Sequence, residues 1–208
     1  MIAGDHLDVD ACRAAFGHGG DRLGARRVDQ AQQAQHNGRF PMFPMHPSAF
    51  VPVSRWLAGE LLARGAPPHR IRQIYDGVDM KPAADAPSLD LRAHLGLAHN
   101  TVIVALVGML VPWKGHALFI DAVSRMGEPD RPVAFLFFGD TPEHGDPGHA
   151  DRLREQAAHL GVADRVFFMG RHAQLRALLP QVNIMVSAST EPEPLGLVMI
   201  EAMANGCL

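Results

Sequence analysis

Glu191-Pro192-Glu193-Pro194-Leu195-Gly196-Leu197-Val198-Met199-Ile200-Glu201-Ala202-Met203-Ala204-Asn205-Gly206 is the stretch that decides the fold, and its residues predict a strand end, a turn and a helix. Ile184-Met185-Val186-Ser187 before it is a short apolar run of strand type. The prolines forbid a helix until about Leu195, and Gly206 supplies a stop. Between Gly196 and Gly206 the helix is apolar on almost every side, the pattern of a buried helix in a layered α/β domain. Only Glu201 and Asn205 interrupt it, and residues at that spacing share one stripe. A carboxylate there is costly unless the stripe meets a partner or a wet cleft. Two readings follow: Glu201 pairs with a neighbouring Arg or backbone amide, or it faces a ligand. The free N–H groups of the first turn, at Gly196 and Leu197, form an anion site with no side chain to obstruct it at Gly196. A ligand carrying a phosphate and a diol would suit the pair.

Working outward, regular organisation begins at residue 100. Strands are predicted at Val102–Val107, Val133–Phe138, 165–169 and 182–187, alternating with helices at 116–126, 150–160, 173–179 and 196–205. Such alternation implies a parallel sheet with right-handed crossovers. In a doubly wound sheet of order 3-2-1-4, the loops leaving the first and fourth strands lie side by side. The first of these is Gly108-Met109-Leu110-Val111-Pro112-Trp113-Lys114-Gly115, and the second carries Glu193. Lys114 and Glu193, 79 positions apart, should therefore converge where a nucleotide would bind.

Upstream, Phe50-Val51-Pro52-Val53 predicts a short strand. Ser54 then caps a helix running to Arg64, closed by Gly65, with Leu57, Leu61 and Leu62 on its buried face. Ile71-Arg72-Gln73-Ile74-Tyr75 alternates as a strand, Asp76-Gly77 turns the chain, and 88–95, closed by Gly96, is a linking helix. Residues 1–50 show no sustained period, the Pro-Met-Phe-Pro-Met-His-Pro run at 41–47 excludes regular structure, and a helix is placed only around 21–35.

With 208 residues, 47% of them hydrophobic, the chain can bury a real core. A net charge of −3 without a basic run argues against nucleic acid as a main partner. Cys12 and Cys207 give no disulfide framework and point to a reducing compartment. No run approaches the ~20 apolar residues of a membrane span. The N-terminus Met1-Ile2-Ala3-Gly4-Asp5-His6 lacks a signal peptide's apolar core, so a cytoplasmic location is expected and peripheral membrane contact is left open.

The stretch at 191–206 resembles the donor-binding signature of retaining glycosyltransferases of family 4, a GT-B-fold family. In that signature two glutamates separated by seven residues surround a Pro-Phe-Gly-Leu-Val core. Glu193 and Glu201 stand at those positions, with Leu195 where Phe is usual. The 108–115 loop resembles the family's Gly-Arg-Leu-…-Lys-Gly segment, whose Arg and Lys hold the donor diphosphate. Lys114 matches and Met109 does not, and a methionine cannot carry the Arg's fork of charged donors. Asp76-Gly77-Val78-Asp79 is similar to the family's Asn-Gly-Val-Asp turn between domains. The implied fold is α/β and GT-B-like. It comprises an incomplete N-terminal Rossmann-like part over 1–80 (poorly patterned over 1–49), a linker over 81–99 and a doubly wound parallel-sheet donor domain over 100–208 that lacks its last strands.

The resemblance further implies retaining, metal-independent transfer of a sugar from a UDP- or GDP-sugar donor to a glycan, lipid or small-molecule acceptor, with no cofactor. Glu193 would grip the sugar hydroxyls and Lys114 the diphosphate, these two being the catalytic pair. Glu201 would take the ribose diol, Gly196 and Leu197 would face phosphate, and Gly108, Met109 and Gly139 would line the approach. Arg171, after the third strand, would neighbour the base. Asp8-Val9-Asp10 matches the metal motif of a different glycosyltransferase fold but sits in an unpatterned segment, and no metal role is assigned to it. His144, Asp146, His149 and Asp151 have no common ligand spacing and read as an exposed polar loop. A second reading is a non-catalytic or truncated nucleotide-sugar binder, since Met109 lacks the Arg and the family's flanking strands are not visible. An open sheet edge would then favour self-association. A nucleotide-sugar epimerase, which shares the architecture, fits the glutamate spacing less well.

Overall fold

A computed structural model describes residues 48–79, 89–127 and 129–208. The expected helix around 21–35, the Asp8-Val9-Asp10 motif, Cys12 and the proline run at 41–47 lie outside the described residues. Residues Ala49–Leu208 form one compact unit. In chain order its helices and strands are α1 (Arg55–Ala63), α2 (Leu91–Leu95), β1 (Val102–Val107), α3 (His116–Arg125), β2 (Val133–Phe138), α4 (His149–His159), β3 (Val166–Gly170), α5 (Leu175–Leu178), β4 (Ile184–Met185) and α6 (Leu197–Ala204).

The strands form one parallel sheet of order β3-β2-β1-β4, as the alternation predicted. Both faces are covered, so β1 and β2 are apolar throughout rather than alternating. Ile103, Ala105, Leu136 and Phe138 point to the face that carries α2, α5 and α6, where they meet Leu91, Leu178, Leu179 and Ala202. Val104, Leu106, Phe135 and Phe137 point to the opposite face, against Ile120 and Val123 of α3 and Leu153 and Ala157 of α4. Helices on two faces of a parallel sheet define a doubly wound layer.

Several local expectations are corrected. β4 covers only two residues because the Asn183 side chain takes over its start, with Asn183 Oδ1 accepting the Ile103 N–H at 2.8 Å. α5 is one turn followed by a 3₁₀ turn over Leu179–Gln181, since Pro180 has no N–H to continue an α-helix. Phe50 and Ile71 make an isolated parallel bridge instead of two strands, as Pro52 contributes no ladder donor. Asp76-Gly77 forms no turn, and Gly77 does not take a positive φ. Ser54 caps α1 as expected, its Oγ accepting the Leu57 N–H at 3.2 Å. However, none of Leu57, Leu61 and Leu62 is buried, because α1 lies outside both cores.

α2 is docked on the sheet rather than a free spacer. Asp90 caps it and Gly96 closes it in the left-handed region. The Leu91 N–H donates to Gln181 Oε1 at 2.9 Å, and Arg92 reaches the Thr101 carbonyl at 3.2 Å. The Asp79 carboxylate pairs with Arg176 of α5 at 3.4 Å, tying the segment before α2 to the same face. On the outer edge of β4, the Leu208 N–H donates to the Asn183 carbonyl at 3.0 Å and the Met185 N–H to the Leu208 carbonyl at 2.8 Å. That pattern is a parallel pairing. Leu91 is fully buried, so Leu91→Ala should cost ~2–5 kcal/mol, read as a lower urea midpoint. A change under ~0.5 kcal/mol would mean that α2 is not part of the packed unit.

Candidate functional site

The site is assembled where the loops after β1 and β4 are pressed together. After β1 the Gly108 N–H donates to the Phe138 carbonyl at 2.9 Å, carrying the chain across the end of β2. Gly139 lies beneath it at φ 144°, and a Cβ there would sit 1.9 Å from the Gly108 carbonyl oxygen. Backbone approach is thus what Gly139 provides. Pro112–Lys114 make a 3₁₀ turn that ends at Gly115 in the left-handed region. A Cβ on Gly115 would lie 1.8 Å from the carbonyl oxygen of Ala188 in the loop after β4. The same loops are bonded through Thr190, whose N–H and hydroxyl both donate to the Trp113 carbonyl, at 2.8 and 3.3 Å.

Across this junction the Lys114 ammonium pairs with Glu193 Oε1. The lysine stem runs over Gly108, where a Cβ would come within 3.2 Å of Lys114 Cδ. Its ammonium lies 4.3 Å from the Trp113 ring centroid, a cation–π distance. Ser189 Oγ donates to the same Glu193 oxygen at 2.7 Å. Burial raises the Glu193 carboxyl, but the Lys114 and Ser189 hydrogen bonds and the Lys114 charge outweigh it and hold the group below its ordinary value. Lys114, Ala188, Ser189, Glu193, Gly196 and Val198 are among the residues lining the small cleft around the pair.

α6 starts at the rim of that cleft. Gly196, at φ 75° and ψ 48°, is its N-cap, and no side chain caps it. Leu197 follows, 38% exposed. Glu201 is half-buried and sits one turn beyond Val198, on the same side of α6. No described side chain pairs with its carboxylate, and Asn205 Nδ2 donates only to its backbone carbonyl, at 2.8 Å. The Arg or amide partner of the first sequence reading is therefore not found among the described residues.

Of the sequence-predicted residues, Lys114, Glu193 and Gly196 meet in the cleft. Gly108 lies under the Lys114 stem and Gly139 packs on the Gly108 carbonyl, while Leu197 and Glu201 follow along α6. None of these four is among the residues that line the cleft. Met109 is 49% exposed and lies outside the cleft wall. Arg171 is exposed at the end of β3, the edge of the sheet opposite β4, and is not brought to the pair. Ser189, Trp113 and Thr190 went unrecognised in the sequence. Trp113 carried a signal, being an aromatic next to the key lysine, whereas Ser189 and Thr190 depend on a loop path that no periodicity encodes.

The 144–151 loop departs from the exposed-loop expectation at one position. Asp146 pairs with Arg152 and accepts the Gly148 N–H at 3.0 Å, and Asp151 pairs with Arg154 at 2.9 Å. His149, the first residue of α4, is buried because the turn at Gly148 folds it inward. His116, the first residue of α3, is fully buried and edge-on to Phe137 at 5.2 Å, and neither ring nitrogen has a partner among the described residues. Burial, with smaller contributions from His149 and Lys114, pushes its pKa down to about 4.

A doubly wound parallel sheet carries its ligand crevice at the switch point, and here an acid, an ammonium and an uncapped helix start stand there. Residues 88–208 match the family described as Glycosyl transferases group 1, and the chain belongs to that family. It is 34% identical to D-inositol 3-phosphate glycosyltransferase of Gordonia bronchialis over 155 residues, covering 72% of this chain and 34% of that protein. It is 34% identical over 137 residues to the lipopolysaccharide core biosynthesis glycosyltransferase LpsE of Rhizobium meliloti, covering 66% of this chain and 35% of the relative. Among solved structures it resembles Anabaena Alr3699/HepE in complex with UDP, with a TM-score of 0.67 and 31% identity over 77% of this chain and 43% of that one. The same Anabaena protein with UDP-glucose gives a TM-score of 0.69 at 27% identity, covering 89% of this chain and 48% of that one. The fold is thus that of part of a GT-B glycosyltransferase. The chain spans about a third of the length of the curated relatives it matches.

The buried imidazole makes stability pH-dependent. His116 takes up a proton near 6.5 when unfolded and only near about 4 when folded, so between those values the unfolded chain holds more protons. Stability from this group is complete above pH 6.5, falls as pH drops toward 4 and levels off below, a change of at most ~3 kcal/mol. Glu193, also depressed, acts in the same direction at lower pH. Urea melts between pH 4 and 7 should show this slope in the native chain and lose it in His116→Leu. An unaltered slope would assign the effect to other groups.

Proposed function

We propose that the chain supplies the donor site of a glycosyltransferase that moves a sugar from a nucleotide-diphosphate sugar to an acceptor hydroxyl. The observation that carries this is the meeting of Lys114 and Glu193 across the β1 and β4 loops, at the switch point of the sheet. The solved relatives of similar fold that hold UDP and UDP-glucose support a nucleotide-sugar ligand. The family-4 spacing of Glu193 and Glu201 supports retention at the anomeric carbon and a metal-independent course.

Breaking the bond between the anomeric carbon and the phosphate leaves negative charge on the diphosphate while the sugar ring becomes cation-like. Stabilising that leaving group is the main task. Lys114 and the uncapped N-terminus of α6 at Gly196 and Leu197 supply fixed positive potential, and one such contact is typically worth ~3 kcal/mol of barrier. Glu193 holds the donor sugar's hydroxyls. Glu201, half-buried and without a described partner, accepts from the ribose diol with its two oxygens. Met109 brings no charge, so among the residues of this loop the diphosphate relies on Lys114.

Calorimetric titration of UDP, GDP and their sugars into the chain should show binding with one base. Lys114→Ala should weaken it by about 10- to 100-fold, the value of a charge-assisted hydrogen bond. In donor turnover the same substitution should cost ~10²–10³ in rate. Absence of binding to all of these ligands, or indifference to Lys114→Ala, would overturn the assignment.

A further inference from the structure

Glu193 Oε1 accepts from two donors on different loops: Lys114, after β1, and Ser189, four residues upstream in its own loop, at 2.7 Å. Lys114 does not need Glu193 to stay in place. Its stem lies over Gly108, its ammonium lies 4.3 Å from the Trp113 ring, and the Trp113 carbonyl is bound by Thr190. In this arrangement the carboxylate occupies the cation that a diphosphate requires. A diphosphate brings more than one charge and several acceptor oxygens, and so is the stronger partner for one ammonium group.

Resting on the nucleotide-sugar reading above, we propose that donor binding is an exchange of anions on Lys114. The diphosphate displaces the Glu193 carboxylate, and Ser189 acts as a positioning residue that keeps this carboxylate in the cleft for the donor's sugar hydroxyls. A half-buried carboxylate that loses its cation must regain hydrogen bonds, and Ser189 together with the sugar hydroxyls provides them. A nucleotide without its sugar displaces Glu193 and returns nothing to it. A nucleotide sugar restores what the exchange removed. The advantage of the sugar nucleotide over the bare nucleotide is therefore set by Ser189 and Glu193.

The test is calorimetry with UDP, UDP-glucose, GDP and GDP-mannose on the wild-type chain, Glu193→Gln, Ser189→Ala and Ser189→Thr, with thermal melts of each. Glu193→Gln should bind the bare nucleotide about 10-fold tighter, because Lys114 is no longer neutralised, and the sugar's advantage should shrink toward one. Ser189→Ala should leave bare-nucleotide affinity within about 2-fold while reducing the sugar's advantage by about 10-fold, and Ser189→Thr should restore it. A merely structural role for Ser189 would instead lower both affinities together, with a lower melting temperature, and would refute the proposal. Equal or weaker nucleotide binding by Glu193→Gln would also refute it, leaving the donor-site reading intact. Failure of the wild-type chain to bind any of the four ligands would overturn the donor-site reading and the exchange with it.

Discussion

The contact on which the rest depends is the one between the Gly115 backbone and the carbonyl of Ala188. β1 and β4 are parallel neighbours, ~4.8 Å apart, and both run toward the same end of the sheet. The chain leaving each must therefore share a narrow space with the other. A Cβ at position 115 would stand 1.8 Å from the Ala188 oxygen, so only glycine lets the loops close. Gly139 does the same under Gly108. Once the loops are closed, Lys114, one residue before Gly115, has Glu193 within hydrogen-bond reach, and Ser189 donates to that same carboxylate. The Lys114–Glu193 pair is thus a consequence of strand order plus two side-chain-free positions, rather than of a search by two flexible side chains.

The electrostatics of the junction follow from the same closure. α3 begins at Gly115 and α6 at Gly196, and neither helix start has a side-chain cap. Each helix end carries roughly half a positive charge, so with Lys114 the corner holds about two positive charges against the single negative charge of Glu193. The surplus is positive and directed by backbone N–H groups that cannot move away. His116, two residues after Lys114, adds no further charge because its burial keeps the imidazole neutral. That neutrality leaves two ring nitrogens without a described partner, a cost tolerated in the core beneath the site.

The features readable in the sequence were those set by long, regular patterns. The apolar runs of β1 and β2 and the alternation with helices followed from periodicity, the doubly wound rule then gave the strand order, and that order set the loops carrying Lys114 and Glu193 side by side. Gly196 and Glu201 were readable because an apolar helix marks its exceptions. What escaped depended on geometry at the scale of one hydrogen bond. Asn183 shortens β4 by substituting its side chain for a backbone partner, which no hydrophobicity pattern records. Ser189 becomes a partner of Glu193 only through the path of a proline-containing loop. α1 shows the opposite failure, since its leucines carry a helical period but lie outside both cores, so amphipathicity implied a burial that the described packing does not provide. Arg171 was placed near the base by resemblance to the family, and it stands exposed after β3, at the sheet edge opposite β4.

The strength of the Lys114–Glu193 pair limits what the site can do. The side chains are 15% and 26% exposed, between the surface and the interior. A fully exposed pair contributes only ~0–1 kcal/mol and would not hold either group in place. In a fully buried pair, depriving one charge of its partner costs ~3–5 kcal/mol. Micromolar to millimolar binding of a nucleotide ligand supplies ~4–8 kcal/mol in all, so opening such a pair would consume most of it. Under the proposed exchange, partial exposure keeps the cost of separation below the energy that a diphosphate would return to Lys114. The hydroxyl of Ser189, bonded to the carboxylate before and after, holds it in the cleft without changing that cost. On that proposal the open rim of the cleft has an energetic role: it keeps the pair strong enough to preorganise the corner and weak enough to be replaced.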